Sequence, residues 1–250
     1  MSTAEPGPRS LDVLPDDGFR RILCVVAHPD DVEYGLSACV HRWVDQGAEV
    51  AYLLLTAGEA GMQRPPSEVG PLRAREQRAA CAEVGVTDLE ILDHPDGMLV
   101  YSLALRRDVA RKIRRFRPDV VVTTSWDVEV GWGLNQADHR VAGLVTLDAV
   151  RDADNTWVHP ELARDEGLPK WAARWLLVAA DNSPTHGAVL TSDDVDAGVR
   201  SLEAHAAYLA DIPGHPAPRD FIPEMLAGQG QMMGVDHACL FRAHRLGPPA

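Results

Sequence analysis

Ile22-Leu23-Cys24-Val25-Val26-Ala27-His28-Pro29-Asp30-Asp31 is an apolar run that ends in one histidine and two carboxylates. Six apolar residues bounded by Pro and Asp have the length and punctuation of a buried strand followed by a turn. Such a turn has two readings. It ends a strand, since Pro and Asp are common turn residues, or it holds ligands at the mouth of a sheet. In the second reading His28 and Asp31 offer an imidazole nitrogen and a carboxylate oxygen to one divalent ion, and Asp30 stays available as a base.

Outward from this turn, residues 33–46 carry Leu36, Val40, Trp43 and Val44 at helical spacing, with Gly47 as a stop. Strands expected over 49–56, 89–92, 119–124 and 175–180 alternate with helices over 72–84, 103–116, 138–153 and 193–209. That alternation predicts an α/β fold with a mostly parallel sheet covered on both faces, ligands binding outside the carboxyl ends of the strands. Residues 57–70 and 126–137 read as loops, 211–234 as a Pro- and Gly-rich excursion suited to a lid, and 238–246 as a last edge strand. Residues 1–18 read as a loosely ordered arm and 19–250 as a single domain.

With 250 residues, 46% of them hydrophobic, the chain can build one sizeable core. A formal charge of −13 argues against nucleic acid or anionic lipid as a partner. The arginines between Arg106 and Arg117 fit the solvated face of a helix whose other face carries Leu103, Val109, Ile113 and Phe116. Cys24, Cys39, Cys81 and Cys239 form no close pair and read as core residues. Without a signal-peptide start, and with no apolar run near the roughly 20 residues of a membrane helix, the expected setting is the cytoplasm. Self-association into a homo-oligomer is left open.

A catalytic zinc takes three protein ligands, so His28 and Asp31 need a partner from elsewhere. His139 is the candidate, because Asn135-Gln136-Ala137-Asp138-His139-Arg140 follows a parallel strand and its loop at the same rim of the sheet. Asp138 then either caps the helix or orients a neighbouring group as a supporting carboxylate.

The residues Ala27-His28-Pro29-Asp30-Asp31 with Glu33, Arg73-x-x-Glu76, Asp96-Gly97 and Asp138-His139-Arg140 resemble the PIG-L/LmbE family of zinc-dependent de-N-acetylases. The matches span residues 21–146. This resemblance implies a Rossmann-like three-layer sandwich and hydrolysis of an N-acetyl or other N-acyl group on an amino sugar or glycoconjugate small molecule. It further implies that His28, Asp31 and His139 bind zinc, or another divalent ion in its stead, and that Asp30 is the general base. One position departs from the family, whose later motif usually reads His-x-Asp-His. Gln136 stands at its first histidine, and an amide can donate a hydrogen bond but cannot deliver a proton. Either Asp30 is base and acid in turn, or another histidine supplies the proton, with His94 and His186 as candidates near strand ends. Arg73 and Asp96 are candidates for substrate contact, and Trp126, Trp132 and Trp157 flank the third ligand segment with faces suited to sugar rings. His205, with Leu202 and Leu209, reads as a helix packing residue.

Other readings are an amidase for thiol-sugar conjugates and a catalytically weak metal-containing binding or regulatory protein. A dinucleotide-binding oxidoreductase suits the sheet pattern but lacks Gly-x-Gly-x-x-Gly at the first turn.

Overall fold

A computed structural model describes residues 11–247. The strands are β1 (Asp12–Val13), β2 (Arg21–Val26), β3 (Glu49–Leu54), β4 (Asp88–Ile91), β5 (Val120–Thr124), β6 (Glu129–Val130), β7 (Gly133–Leu134), β8 (Trp175–Ala179), β9 (His186–Val189) and β10 (Ala238–Arg245). The helices are α1 (Ser37–Asp45), α2 (Pro66–Glu83), α3 (Leu103–Phe116), α4 (Ala137–Ala153), α5 (Pro160–Arg164), α6 (Ser192–Glu203), α7 (Ala206–Ala210) and α8 (Pro218–Gln231).

Eight strands form one sheet in the order β1-β9-β10-β8-β5-β2-β3-β4, and β6 and β7 pair separately. From β8 to β4 every pairing is parallel, whereas β10 runs antiparallel to both neighbours. The chain steps from β2 outward to β3 and β4, then returns to the other side of β2 with β5. The order of strands therefore reverses between β2 and β5, and a crevice opens there at their carboxyl ends.

Side-chain alternation along β2 explains both layers. Ile22, Cys24 and Val26 join a core with residues of α1, α6 and α8, while Leu23, Val25 and Ala27 join a second core with residues of α3 and α4. Burying each such Val or Leu contributes roughly 1.5–3 kcal/mol, which is why a strand covered on both faces reads as an unbroken apolar run. All four cysteines are free and buried, as their apolar settings imply. No helix among the described residues is long and apolar enough to cross a membrane.

Four expectations are corrected. Residues 1–10 of the expected arm lie outside the described residues, but Asp12 and Val13 pair with β9 and Leu14 is buried, so the ordered chain begins before residue 19. Two residues are too short a strand to show a period. The 211–234 excursion contains α8, whose Ile222 and Leu226 reach the core; Pro218 occupies its first turn, where a missing N–H costs no hydrogen bond. Residues 238–246 do not form an edge, because the unforeseen β9 and β1 lie outside β10. Helix α1 starts at Ser37 rather than Glu33, since Asp30 (φ 85°) and Gly35 (φ 115°) turn the chain through conformations a helix cannot hold.

Candidate active site

The turn after β2 is built by its own carboxylate. Asp31 Oδ2 accepts hydrogen bonds from the backbone N–H groups of Ala27 and His28, both at 2.9 Å, so its side chain folds back over the strand end. Its Oδ1 then lies 3.0 Å from His139 Nε2 and 3.6 Å from His28 Nδ1. Asp30, in a left-handed conformation, faces another way: its carboxylate meets the Arg73 guanidinium at 2.9 Å. The backbone N–H of Asp30 donates to Gln77 Oε1 at 3.0 Å, and Gln77 Nε2 donates to Glu33 Oε1 at 2.9 Å. Two adjacent carboxylates thus diverge because the peptide between them is twisted and pinned. Holding a non-glycine residue there costs about 1–3 kcal/mol, an expense that surrounding contacts must offset.

The second wall comes from the exit of β5. Asn135 Nδ2 donates to the carbonyls of Ser125 (2.8 Å) and Asp127 (3.0 Å), which fixes its amide so that Oδ1 faces His139 Nδ1 at 3.2 Å. His139 Nδ1 must carry a hydrogen for that contact, which leaves Nε2 as the nitrogen that faces Asp31. Helix α4 packs closely on this exit: a Cβ at Gly143 would stand 2.6 Å from the Thr124 carbonyl oxygen. Asp138 accepts from the N–H groups of Gly97 (2.8 Å) and Leu99 (3.1 Å), and one of its oxygens lies 3.4 Å from His28 Nε2. Asp96 Oδ1 is closer to that nitrogen, at 3.0 Å, while its Oδ2 accepts from Ala60 N–H at 2.8 Å.

Charge in this cleft is tightly balanced. Burial pushes the Asp30 carboxyl up to about 6, even with Arg73 opposing the rise. Burial alone would lower His28, but the carboxylates of Asp31, Asp138 and Asp96 override it and raise the imidazole to about 12. Against its own burial, Asp31 is held well below the usual carboxylate range by His139 and His28. His139 also rises, because Asp31 outweighs desolvation.

Among the described residues, two groups bring ligand atoms within 4.8 Å of one another: His28, Asp31 and His139, and His28, Asp96 and Asp138. The first fits a divalent cation better. A tetrahedron with arms of about 2 Å has edges of about 3.3 Å, and the separations of 3.0 and 3.6 Å about Asp31 Oδ1 bracket that value. In the second group Asp138 already accepts two backbone N–H groups and Asp96 one, so both suit a supporting role on the far nitrogen of His28.

His28, Asp30, Asp31, Arg73, Asp96, Gln136 and His139 line a single cleft of about 370 Å³. Asp138 lies beneath it. Arg73 and Asp96, the candidates for substrate contact, line the cleft and are also engaged by neighbours: the guanidinium donates to the carbonyls of Pro29 (2.6 Å) and Gly58 (3.1 Å) and stacks 3.9 Å over the Tyr208 ring. His94 and His186 are not in the cleft. His94 Nε2 faces Asp108 of α3 at 3.2 Å, and His186 sits on β9, separated from β2 by three strands. His205, expected inside one long helix, is the fully buried residue between α6 and α7, with Nε2 3.7 Å from Glu33. Sequence reasoning missed Tyr34, Leu134 and Tyr208 as lining residues. Only Tyr34, inside the motif turn, carried a positional signal.

A family profile described as GlcNAc-PI de-N-acetylase (PIG-L) matches residues 23–150. Diacetylchitobiose deacetylase of Thermococcus kodakarensis is 31% identical over 140 residues, covering 54% of this chain and 51% of the relative. The 1D-myo-inositol 2-acetamido-2-deoxy-alpha-D-glucopyranoside deacetylase of Streptomyces avermitilis is 32% identical over 177 residues, covering 60% of this chain and 58% of the relative. The chain spans about half to three-fifths of the length of these curated relatives. Among solved structures, an N,N'-diacetylchitobiose deacetylase from Pyrococcus horikoshii superposes with a TM-score of 0.82 at 21% identity, covering 92% of this chain and 86% of that one. At that identity the likeness establishes the fold, a mostly parallel sheet between helical layers.

Proposed function

The chain belongs to the GlcNAc-PI de-N-acetylase (PIG-L) family, and from that premise we propose that it hydrolyses the N-acetyl group of an N-acetylated sugar or glycoside. In this reading His28, Asp31 and His139 hold a divalent ion, zinc by the chemistry of the set, and Asp30 is the general base. The observation that carries it is the divergence of two neighbouring carboxylates, Asp31 toward His139 and Asp30 toward Arg73. Relatives named for diacetylchitobiose and for an inositol-linked acetamido sugar support the substrate class.

A divalent ion supplies positive charge that acidifies water and polarises an amide carbonyl. Asp30 takes the proton of the attacking water. With its carboxyl raised to about 6, it is mostly ionised at neutral pH and able to accept that proton. Arg73 holds the carboxylate in place and limits that rise. Asp96 and Asp138 orient the His28 ring from its far nitrogen. Gln136, exposed on the cleft wall at the start of α4, offers amide N–H donors to an oxyanion. Trp132 and Leu134 give the sugar an apolar wall. The binding-protein reading leaves the pinned, buried Asp30 without a purpose.

The test is amine release from a panel of N-acetylated mono- and disaccharides and glycosides, with and without chelator. Release that a chelator abolishes and zinc restores is the expected result. No release from any member overturns the assignment.

A further inference from the structure

Gln136 leaves the reaction without its usual proton donor, and neither His94 nor His186 reaches the cleft to replace it. Of the ten histidines in the chain, His28 and His139 line the cleft directly and are committed to the metal set. One other reaches it through a lining side chain: His215 Nε2 lies 2.7 Å from the Tyr34 hydroxyl. We propose that Tyr34, backed by His215, delivers the proton to the departing amine. This rests on the N-deacetylation reading above and assigns the acid that reading lacks.

The geometry orders a relay. His215 Nδ1 lies 2.7 Å from the Pro216 carbonyl oxygen, which can only accept, so Nδ1 carries a hydrogen. On the neutral ring Nε2 accepts from the Tyr34 hydroxyl; when Nε2 carries a proton as well, the bond reverses, Nε2 donates to the Tyr34 oxygen and the hydroxyl hydrogen turns into the cleft. Tyr34 is held for this task. Its N–H donates to the Asp30 carbonyl at 3.1 Å, and its ring meets His215 and Phe221 edge-on at centroid distances of 5.6 and 6.2 Å. Burial and the nearby Asp30 and Tyr208 keep its hydroxyl above the ordinary tyrosine value, so it remains a proton carrier rather than a phenolate. Tyr208 also lines the cleft, but its ring is covered by Arg73 and it has no histidine partner among the described residues.

As the tetrahedral intermediate collapses, the C–N bond breaks and its electron pair stays on nitrogen. That nitrogen takes the Tyr34 hydroxyl proton, and the Tyr34 oxygen takes the Nε2 proton of His215. Acetic acid and neutral amine leave, and the acid gives the remaining water hydrogen to solvent to become acetate. Solvent resets the site, reprotonating His215 and removing the proton that Asp30 took from water.

The test compares wild type, Tyr34→Phe and His215→Gln on an N-acetyl sugar and on an aryl acetate, whose phenolate departs without a proton. Metal content and circular dichroism are read on each protein. The expected result for Tyr34→Phe is a kcat on the amide lower by about 100-fold or more, with KM and metal content kept and a loss of no more than a few-fold on the ester. His215→Gln, which preserves the hydrogen bond but not the proton, is expected to lower amide kcat with the same pattern. Unchanged amide kcat, a loss expressed in KM, or equal losses on amide and ester each overturn the proposal. Where the wild type cleaves no ester, the split between kcat and KM on the amide decides. Failure of wild type to release amine removes the deacetylase reading itself, a separate outcome.

Discussion

The floor and the wall of the cleft are built in opposite ways. On the floor, His28, Asp30, Asp31, Asp96 and Asp138 are buried or nearly so, and each is held by at least two partners. The wall is a two-stranded ribbon, β6 and β7, where Trp132 is 65% and Leu134 78% exposed. In the proposed deacetylation, a preorganised floor carries the chemistry without rearranging, whereas the exposed apolar wall is where a saccharide would lie. Reaction and selection are then separated.

Replacing a proposed ligand or a residue that pins the floor should give the largest effects. His139→Ala removes one of three proposed ligands, and metal analysis after dialysis should find the site empty and amine release gone. Asn135→Ala leaves the ligand but frees its ring, with an expected loss of about 10–100-fold in metal affinity, read by competition with a chromophoric chelator. Gln77→Leu strips partners from the Asp30 N–H and the buried Glu33 carboxylate. It should cost about 1–3 kcal/mol in urea unfolding, and an unchanged midpoint would show that the Asp30 turn holds without it.

A pH profile sharpens the same contrast. In metal-free protein the folded state raises His28 to about 12, so above the ordinary histidine range near 6.5 it binds a proton that the unfolded chain has released. That stabilisation is present below about 6.5 and is lost as pH rises toward 12. Melting of the metal-free protein between neutral and mildly alkaline pH should therefore fall more steeply in wild type than in His28→Gln. Parallel curves would contradict the charge balance described for the floor. The wall should give the smallest effect. Trp132→Ala is expected to change stability by no more than about 0.5 kcal/mol and to raise KM for disaccharides more than for monosaccharides.

The floor was largely legible in the sequence because it lies at the ends of strongly patterned elements. The apolar run fixed β2, and the strand-to-helix alternation brought residue 139 to the rim where residue 28 stands. Side-chain direction was not legible. Arg73 and Asp96 turn toward Asp30 and His28, and His94 turns toward Asp108, all through tertiary contacts with no sequence period. Helix α8 was hidden by its prolines, although Ile222 and Leu226 keep helical spacing. The break at His205 was hidden by an apolar pattern that continues across it. Tyr208 reaches the cleft from α7, more than 170 residues from the motif turn, and only the packing of α7 near Arg73 brings it there.

In the proposed reaction Asp31 holds the metal while Asp30 takes the proton. Metal content and amine release measured together on Asp30→Asn test it most directly. Asp30→Asn should keep stoichiometric divalent metal, as in wild type, with amine release lower by about 100-fold or more. Near wild-type release from the metal-loaded variant would contradict it.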